Sequence, residues 1–443
     1  MRNCIEELSK LRADIVALSS PPALKKHEIL RFDEAHQLKL QAEAEASEAP
    51  TIADLFCGAG GLSLGFTQAG FRVCLASDLD PLSCDTWRFN HPNVAKSRIV
   101  VGDIGATLAT LPKIAMCKPD VLAGGPPCQG YSHANRHHQS PIEDPRNVLY
   151  RDFVRAAELL RPKFIVMENV RGMHRVADSV CQDFERLTFK VSGRTSSYKV
   201  ACQILNAYDF GAAQSRERLI FLGVRKDVTD AVGVTPEVLF EDIKAFCTRA
   251  NYRFVLANAL KHLRPLAAPH KMHVGEIDTD EGGRKVDVNP FRGDESAYLR
   301  HINLSRTVPF IYNHKARYCS LLNHEIYASM NQGDDGTSPA IADIFPYKRR
   351  NGIFKDKYFR LYADRPSRTI TAHMRSDCHS HIHPTQPRGL TPREAARAQS
   401  FPDDYAFLGP YLKTYIQIGN AVPPVMARGI ANAIKPYLKE LQR

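Results

Sequence analysis

The chain has 443 residues, 44% of them hydrophobic and 24% charged, with a formal net charge of +11. That balance excludes a disordered or fibrous chain and leaves room for two or three domains with a sizeable core. The basic excess fits a polyanionic partner such as nucleic acid.

The first 50 residues read as helical, because Leu8, Leu11, Ile15 and Leu18 recur at three- and four-residue steps until Ser19-Ser20-Pro21-Pro22 breaks them. A charged, helix-favouring stretch follows, and residues 1–50 are expected to form an N-terminal helical extension. The opening segment carries acids and bases through its apolar stretch, so no signal peptide is expected. No run approaches the length of a membrane span, and the 11 cysteines contain no C-x-x-C pair. A cytoplasmic protein with free thiols, no membrane partner and no zinc ribbon is the expectation.

From residue 51 short apolar runs alternate with helical spacing. TIADLF (51–56), RVCLAS (72–77), RIVVGDI (98–104), VLAGG (121–125), FIVMENV (164–170) and LIFLGV (219–224) read as buried strands. Strand, helix, strand in succession implies an α/β fold of Rossmann type, a mostly parallel sheet with helices on both faces. Beyond residue 226 the alternation gives way to a loop-rich stretch of Pro, Gly, His and charge, expected to be a smaller second domain. Thr391 and Glu394 form a candidate capping box, and a final helix is expected from Pro424 to Leu441.

DLFCGAGGLSLGF (54–66) follows the first strand, and Gly58, Gly60 and Gly61 permit a tight turn and close ligand approach. Asp78 ends the second strand and Asp103 the third. Each alone reads more readily as a helix cap or turn aspartate. Together, at successive strand ends, they favour a nucleoside-bearing cofactor.

GGPPCQGYS (124–132) places Cys128 just past the fourth strand, behind two φ-locked prolines. That setting marks a nucleophile rather than a buried structural thiol. Glu168 stands at the end of the next strand, where apolar surroundings suit a proton donor, with Asn169 beside it to orient it. In QSRER (214–218), Arg216 and Arg218 are two apart and expected to share one face of an extended segment, able to grip phosphates or a base carbonyl.

The ordered series DLFCGAGGLSLGF, ASDLDP, GDI, GGPPCQGYS, ENV, QSRERLIFLG, RPSRTIT (365–371), TPREAARAQSFP (391–402) and QIGNAVPP (417–424) closely resembles the DNA cytosine C5-methyltransferases, prokaryotic type. The resemblance covers about residues 51–225 and 358–443, with one departure, Ala213 where proline often stands. It implies an S-adenosylmethionine-dependent methyltransferase domain over 51–225, a target-recognition domain over 226–390, and a hinge and returning C-terminal segment over 391–443. It implies S-adenosylmethionine as cofactor, bordered by Phe56, Gly58, Gly60 and Pro126. Asp78 would hold the ribose, Leu79 the adenine, Asp103 the adenine amino group, and Asn420 would help from the returning segment. Cys128 would add to C6 of cytosine, Glu168 would act at N3, and Arg218 would bind O2 with Arg216 nearby. The target base must be flipped from duplex DNA, and HANRHHQSPIEDPRN (133–147) resembles the loop that closes over it.

The recognition region offers Tyr347, Lys348, Arg349, Arg350, Tyr358 and Arg360 as candidate contacts to phosphates and bases. His379, His381 and His383 would share one face of a strand beside Cys378, yet no second ligand pair appears, and no metal is expected. The leading expectation is a monomeric, double-stranded-DNA-modifying enzyme of a restriction-modification or phage-defence system. The alternatives are an RNA (tRNA) cytosine methyltransferase on the same motifs and a catalytically silent DNA-binding regulator.

Overall fold

The computed structural model describes residues 2–114, 118–127, 149–272, 277–289, 296–347 and 357–442. The chain divides into two compact units. One comprises Gln37–Phe210, Glu217–Tyr252 and Val422–Arg443; the other comprises Met1–His36, Gly211–Arg216 and Arg253–Ala421.

The first of these is built on a seven-stranded sheet. Its strands are β1 (Thr51–Leu55), β2 (Arg72–Asp78), β3 (Ile99–Val101), β4 (Val121–Gly124), β5 (Phe164–Val170), β8 (Tyr198–Asn206) and β9 (Glu217–Arg225). A separate small hairpin, β6 (Phe189–Val191) and β7 (Arg194–Ser196), lies between β5 and β8 in the chain. The sheet order is β3-β2-β1-β4-β5-β9-β8. β1 to β5 pair in parallel and β9 pairs antiparallel with both β5 and β8. This is a Rossmann-like α/β fold: a mostly parallel sheet flanked by helices. β1 is buried at every position, as a strand covered on both faces must be. Leu55, Leu75, Leu122, Ile165 and Phe221 from the sheet and Phe153 from the helix Leu149–Leu160 share one apolar core.

The parallel order places the carboxyl ends of β1, β2, β4 and β5 along one sheet edge, where ligands of this architecture bind. Behind that edge the helix Gly61–Gln68 packs on the C-terminal helix Pro424–Glu440. Gly65 is the point of contact: a β-carbon there would stand 2.4 Å from Ala427 and from the Pro424 carbonyl.

The other unit contains the hairpin β10 (Gly283–Val288) and β11 (Phe310–Lys315) and the helix Pro392–Ala398, every residue of which is buried. The helix carries the expected capping box of Thr391 and Glu394. Its arginines reach internal partners. Arg397 pairs with Asp403 at 2.6 Å, Arg393 donates to the carbonyls of Tyr312, Pro402 and Tyr405, and Glu394 accepts from Arg388 at 2.7 Å. Burying these charges is tolerable because each is paired or hydrogen-bonded. The N-terminal helices Arg2–Ala17 and Pro22–Leu30 are tied in here: Glu7 accepts from Lys285 and from the Gly409 amide, and Glu28 from Tyr312.

Candidate active site

The glycine loop opens directly from β1. Phe56 takes a left-handed backbone conformation, φ 57°, as does Gly58 at φ 52°, and Gly60 at φ 91° caps the helix Gly61–Gln68. The Gly58 amide donates to the Asp78 carboxylate at 2.7 Å, which joins the loop to the end of β2. The same carboxylate accepts from the Asp80 amide at 2.9 Å. Burial raises the Asp78 pKa above the ordinary carboxylate value, and these backbone N–H groups partly offset it. Beyond Gly58 the space is open: among the described residues, no atom apart from its chain neighbours lies within 4 Å of where a β-carbon would stand. Leu79 is 70% exposed at the end of β2, an apolar surface beside that loop. Asp103 is exposed and caps the helix Ile104–Ile114, accepting from Gly105 N at 2.8 Å.

One further carboxylate belongs to this region. Asp54, in β1, is buried and held by both the Ser63 amide and the Ser63 hydroxyl. Ser63 in turn accepts from the Trp87 indole at 3.0 Å. Burial pushes the Asp54 pKa up to about 7. Its signal was its place inside the glycine-loop motif, which also contains Ser63; Trp87 stands 24 residues beyond Ser63 and had no local signal.

The proline corner follows β4. Gly124 has no room for a side chain: a β-carbon would meet the Leu55 carbonyl at 2.3 Å and Phe153 at 2.8 Å. At Gly125 the neighbour is the Glu168 carboxylate, 3.1 Å from the same hypothetical atom. The buried Asn169 donates to the Pro126 carbonyl at 3.0 Å, so it braces the corner rather than orienting Glu168. Cys128, two residues past Pro126, and the stretch 133–147 lie outside the described residues.

Glu168 does not stand alone at an apolar strand end. Arg218 Nε lies 2.8 Å from its Oε1, and both side chains are largely enclosed. The antiparallel register explains the pairing: Arg218 sits opposite Val170, diagonal to Glu168 on the same face. An exposed pair, Arg171 with Glu217 at 2.7 Å, flanks it.

Arg216 and Arg218 do not share a strand face. β9 begins at Glu217, and Arg216 belongs to the unit of Arg253–Ala421. There its guanidinium is buried and donates to the carbonyls of Ile370 at 2.8 Å and Gly419 at 3.0 Å. Gln214 beside it is fully buried and donates to Gln399 at 2.5 Å. Asn420, in the same unit, is exposed at the last turn of the helix Tyr411–Asn420.

Two further readings change. Tyr358 is buried and stacks on His379 with ring centroids 4.2 Å apart, while Arg360 donates to the carbonyls of Tyr327, Met330 and Pro384. Tyr358 is an interior residue of its unit, and Arg360 is half-buried with its guanidinium committed to backbone. Tyr347 is half-buried, with Lys357 over its ring at 4.7 Å; Lys348, Arg349 and Arg350 lie outside the described residues. The histidine stretch is not a strand but a 3-10 turn at His379–His381. Its side chains diverge to separate partners: His379 to the Tyr327 hydroxyl at 2.6 Å, His381 to the Thr369 carbonyl at 3.2 Å, and His383 to the amides of Thr385 and Gln386. Burial lowers all three pKa values to about 4.

The sequence profile of the C-5 cytosine-specific DNA methylases matches residues 51–436. A type II methyltransferase, M1.HphI of Haemophilus parahaemolyticus, is 34% identical over 393 residues, 87% of this chain and 86% of that protein. M.DdeI of Desulfomicrobium norvegicum, also a type II methyltransferase, is 32% identical over 417 residues, covering 88% and 89%. A crystal structure assigned as a prophage-encoded DNA modification methyltransferase of E. coli superposes with a TM-score of 0.64 at 25% identity, over 88% of this chain and all of that one. With its glycine loop, proline corner and Glu168–Arg218 pair set on the ligand-binding edge of a methyltransferase sheet, the chain belongs to the C-5 cytosine-specific DNA methylase family.

Proposed function

We propose that this chain is a DNA cytosine-5 methyltransferase acting on a cytosine flipped out of duplex DNA, with Cys128 as nucleophile. The observation that carries the reading is the Glu168–Arg218 pair, 2.8 Å apart, placed against Gly125 of the segment that leads to Cys128. C5 of cytosine is a poor carbon nucleophile. Addition of the Cys128 thiolate to C6 makes C5 enamine-like and places negative charge on the ring. Glu168 holds a proton at N3 and stabilises that charge. Arg218 orients Glu168 and contacts the base O2. Loss of the C5 proton to a base then expels Cys128 and restores the aromatic ring. The prolines before Cys128 limit its alternative positions.

S-adenosylmethionine supplies the electrophilic methyl group when bound. The unit that holds the glycine loop fits it: open space over Gly58, the Asp78 carboxylate for ribose hydroxyls, and the exposed Leu79 for an adenine face. Phe56, Gly60, Asp103 and Pro126 lie on the same sheet edge and complete this set. Asn420 is assigned to the cofactor on the family motif alone. Arg216, held by two carbonyls, positions its own segment. Residues 51–225 form the catalytic domain in this reading, and 226–390 the target-recognition domain. The type II relatives support self-marking of DNA within a restriction-modification system.

A duplex carrying 5-fluorocytosine tests the mechanism, because fluorine at C5 blocks the final proton loss. With S-adenosylmethionine, the wild-type protein should form a denaturant-stable adduct and Cys128→Ser should form none. An equal yield of adduct from Cys128→Ser would refute the assignment.

A further inference from the structure

We propose that Cys181 and Cys202 form an oxidisable dithiol, a modification site for hydrogen peroxide that closes to a disulfide between the helix Ala177–Glu185 and β8. The two thiols hydrogen-bond each other across these elements, with Cys181 as donor.

The packing of helix on strand sets the pair. Val180 and Phe184 of the helix and Tyr198 and Val200 of the strand are buried in one apolar cluster, and Cys181 and Cys202 pack on its margin. Residues 198, 200 and 202 share a strand face, while 181 and 185 lie one turn apart on the helix. Glu185 accepts from the Val200 amide at 3.2 Å. Four helical residues back from Glu185 span about 6 Å, and two strand residues on from Val200 span about 6.6 Å. The two steps match, and they bring Cys181 to Cys202.

The pair is within reach of solvent and is chemically asymmetric. Both cysteines are half-buried, whereas Cys57 and Cys84, which also hydrogen-bond each other, are buried. The hydrogen bond from Cys181 lowers the Cys202 pKa, against burial and the charge of Asp178. The same bond raises the Cys181 pKa, together with burial and the carboxylates of Glu185 and Asp178. Cys202 is therefore the readier thiolate, and its neighbour holds a proton.

With hydrogen peroxide as oxidant the step balances. The Cys202 thiolate attacks one peroxide oxygen, the O–O bond breaks, and the departing hydroxide takes a proton and leaves as water. Cys202 is then a sulfenic acid. Cys181 attacks its sulfur, the S–O bond breaks, and the released hydroxide takes the Cys181 proton and leaves as a second water. The two thiols lose two electrons and the peroxide gains them. The new S–S bond encloses the β6–β7 hairpin in a covalent loop.

Peroxide treatment of the folded full chain, alkylation of the remaining thiols and peptide mapping by mass spectrometry test this. The mapping uses the wild type and Cys128→Ser, in which the methyl-transfer nucleophile is absent as a partner. Linked peptides of Cys181 and Cys202 should form in both and revert with dithiothreitol. Before oxidation, iodoacetamide should label Cys202 about 10-fold faster than Cys247, a half-buried thiol whose pKa burial pushes up to about 11. Cys181→Ala should lose the cross-link, leave Cys202 as a sulfenic acid trapped by dimedone, and move its labelling profile to higher pH. A folded wild type in which Cys202 stays unlinked to Cys181, or labels no faster than Cys247, would overturn the proposal. These two wild-type readouts decide it even if Cys181→Ala fails to fold.

Discussion

Arg218 Nε lies 2.8 Å from Glu168 Oε1, diagonal across the antiparallel β5–β9 pair. The ion pair aims a carboxylate at the proline corner and leaves each partner dependent on the other. Glu168→Gln keeps the shape and removes the acid, so methyl transfer should fall by about 100-fold or more. Arg218→Ala leaves an enclosed carboxylate without its cation and should also destabilise the protein by about 3 kcal/mol. Turnover and chemical denaturation of both variants separate the two effects; equal turnover in wild type and Glu168→Gln would refute the role given to Glu168.

The adjacent glycines of the proline corner should behave differently. Gly124→Ala drives a methyl group into the Leu55 carbonyl and Phe153, and should cost about 3 kcal/mol or more. Gly125→Ala meets, among the described residues, the Glu168 carboxylate at 3.1 Å as its tightest contact, so it should fold and lose activity. Thermal midpoints read beside methylation rates check the contrast.

At the glycine loop, Asp78→Ala removes the acceptor of both the Gly58 and Asp80 amides. S-adenosylmethionine affinity should drop about tenfold or more, as expected when charge-assisted hydrogen bonds are lost. Titration calorimetry measures it, and unchanged affinity would remove Asp78 from the site.

Stability should depend on pH through buried histidines. Burial lowers His91, His314, His379, His381 and His383 from 6.5 to about 4. The unfolded chain therefore takes up protons that the folded chain refuses. The stability these groups contribute is complete above pH 6.5 and is lost as the pH falls toward 4. Asp54, raised from 3.8 to about 7, acts in the opposite sense, losing its contribution as the pH rises through that range. Asp14, Asp78 and Asp152, which burial also raises, act with Asp54, but the five histidines outnumber these four groups, so urea midpoints should fall on acidification. His381→Gln should show a shallower fall.

Much of this was legible in the sequence. Strands β1 to β5 are short apolar runs with turn residues at their ends, and their signal is local. β8 was not read, because Tyr198–Asn206 is partly exposed at the sheet margin and its burial lacks a clean period. The capping box was local too. The burial of Arg393 and Arg397 was not, since their partners lie on other segments. The spacing of Arg216 and Arg218 implied one strand face, but the strand starts between them, and no local pattern marks that boundary. The same holds for Tyr358 and Arg360, whose aromatic and basic character suits a surface, although Tyr358 is buried against His379 and Arg360 is taken up by three carbonyls.

The most direct test is transfer of tritiated methyl from S-adenosylmethionine to duplex DNA or to tRNA, with Cys128→Ser alongside, followed by bisulfite sequencing of the labelled product. The account predicts label on duplex DNA at one cytosine context, none on tRNA and none from Cys128→Ser. Label on tRNA alone, or bound DNA left unlabelled by the wild type, would contradict it.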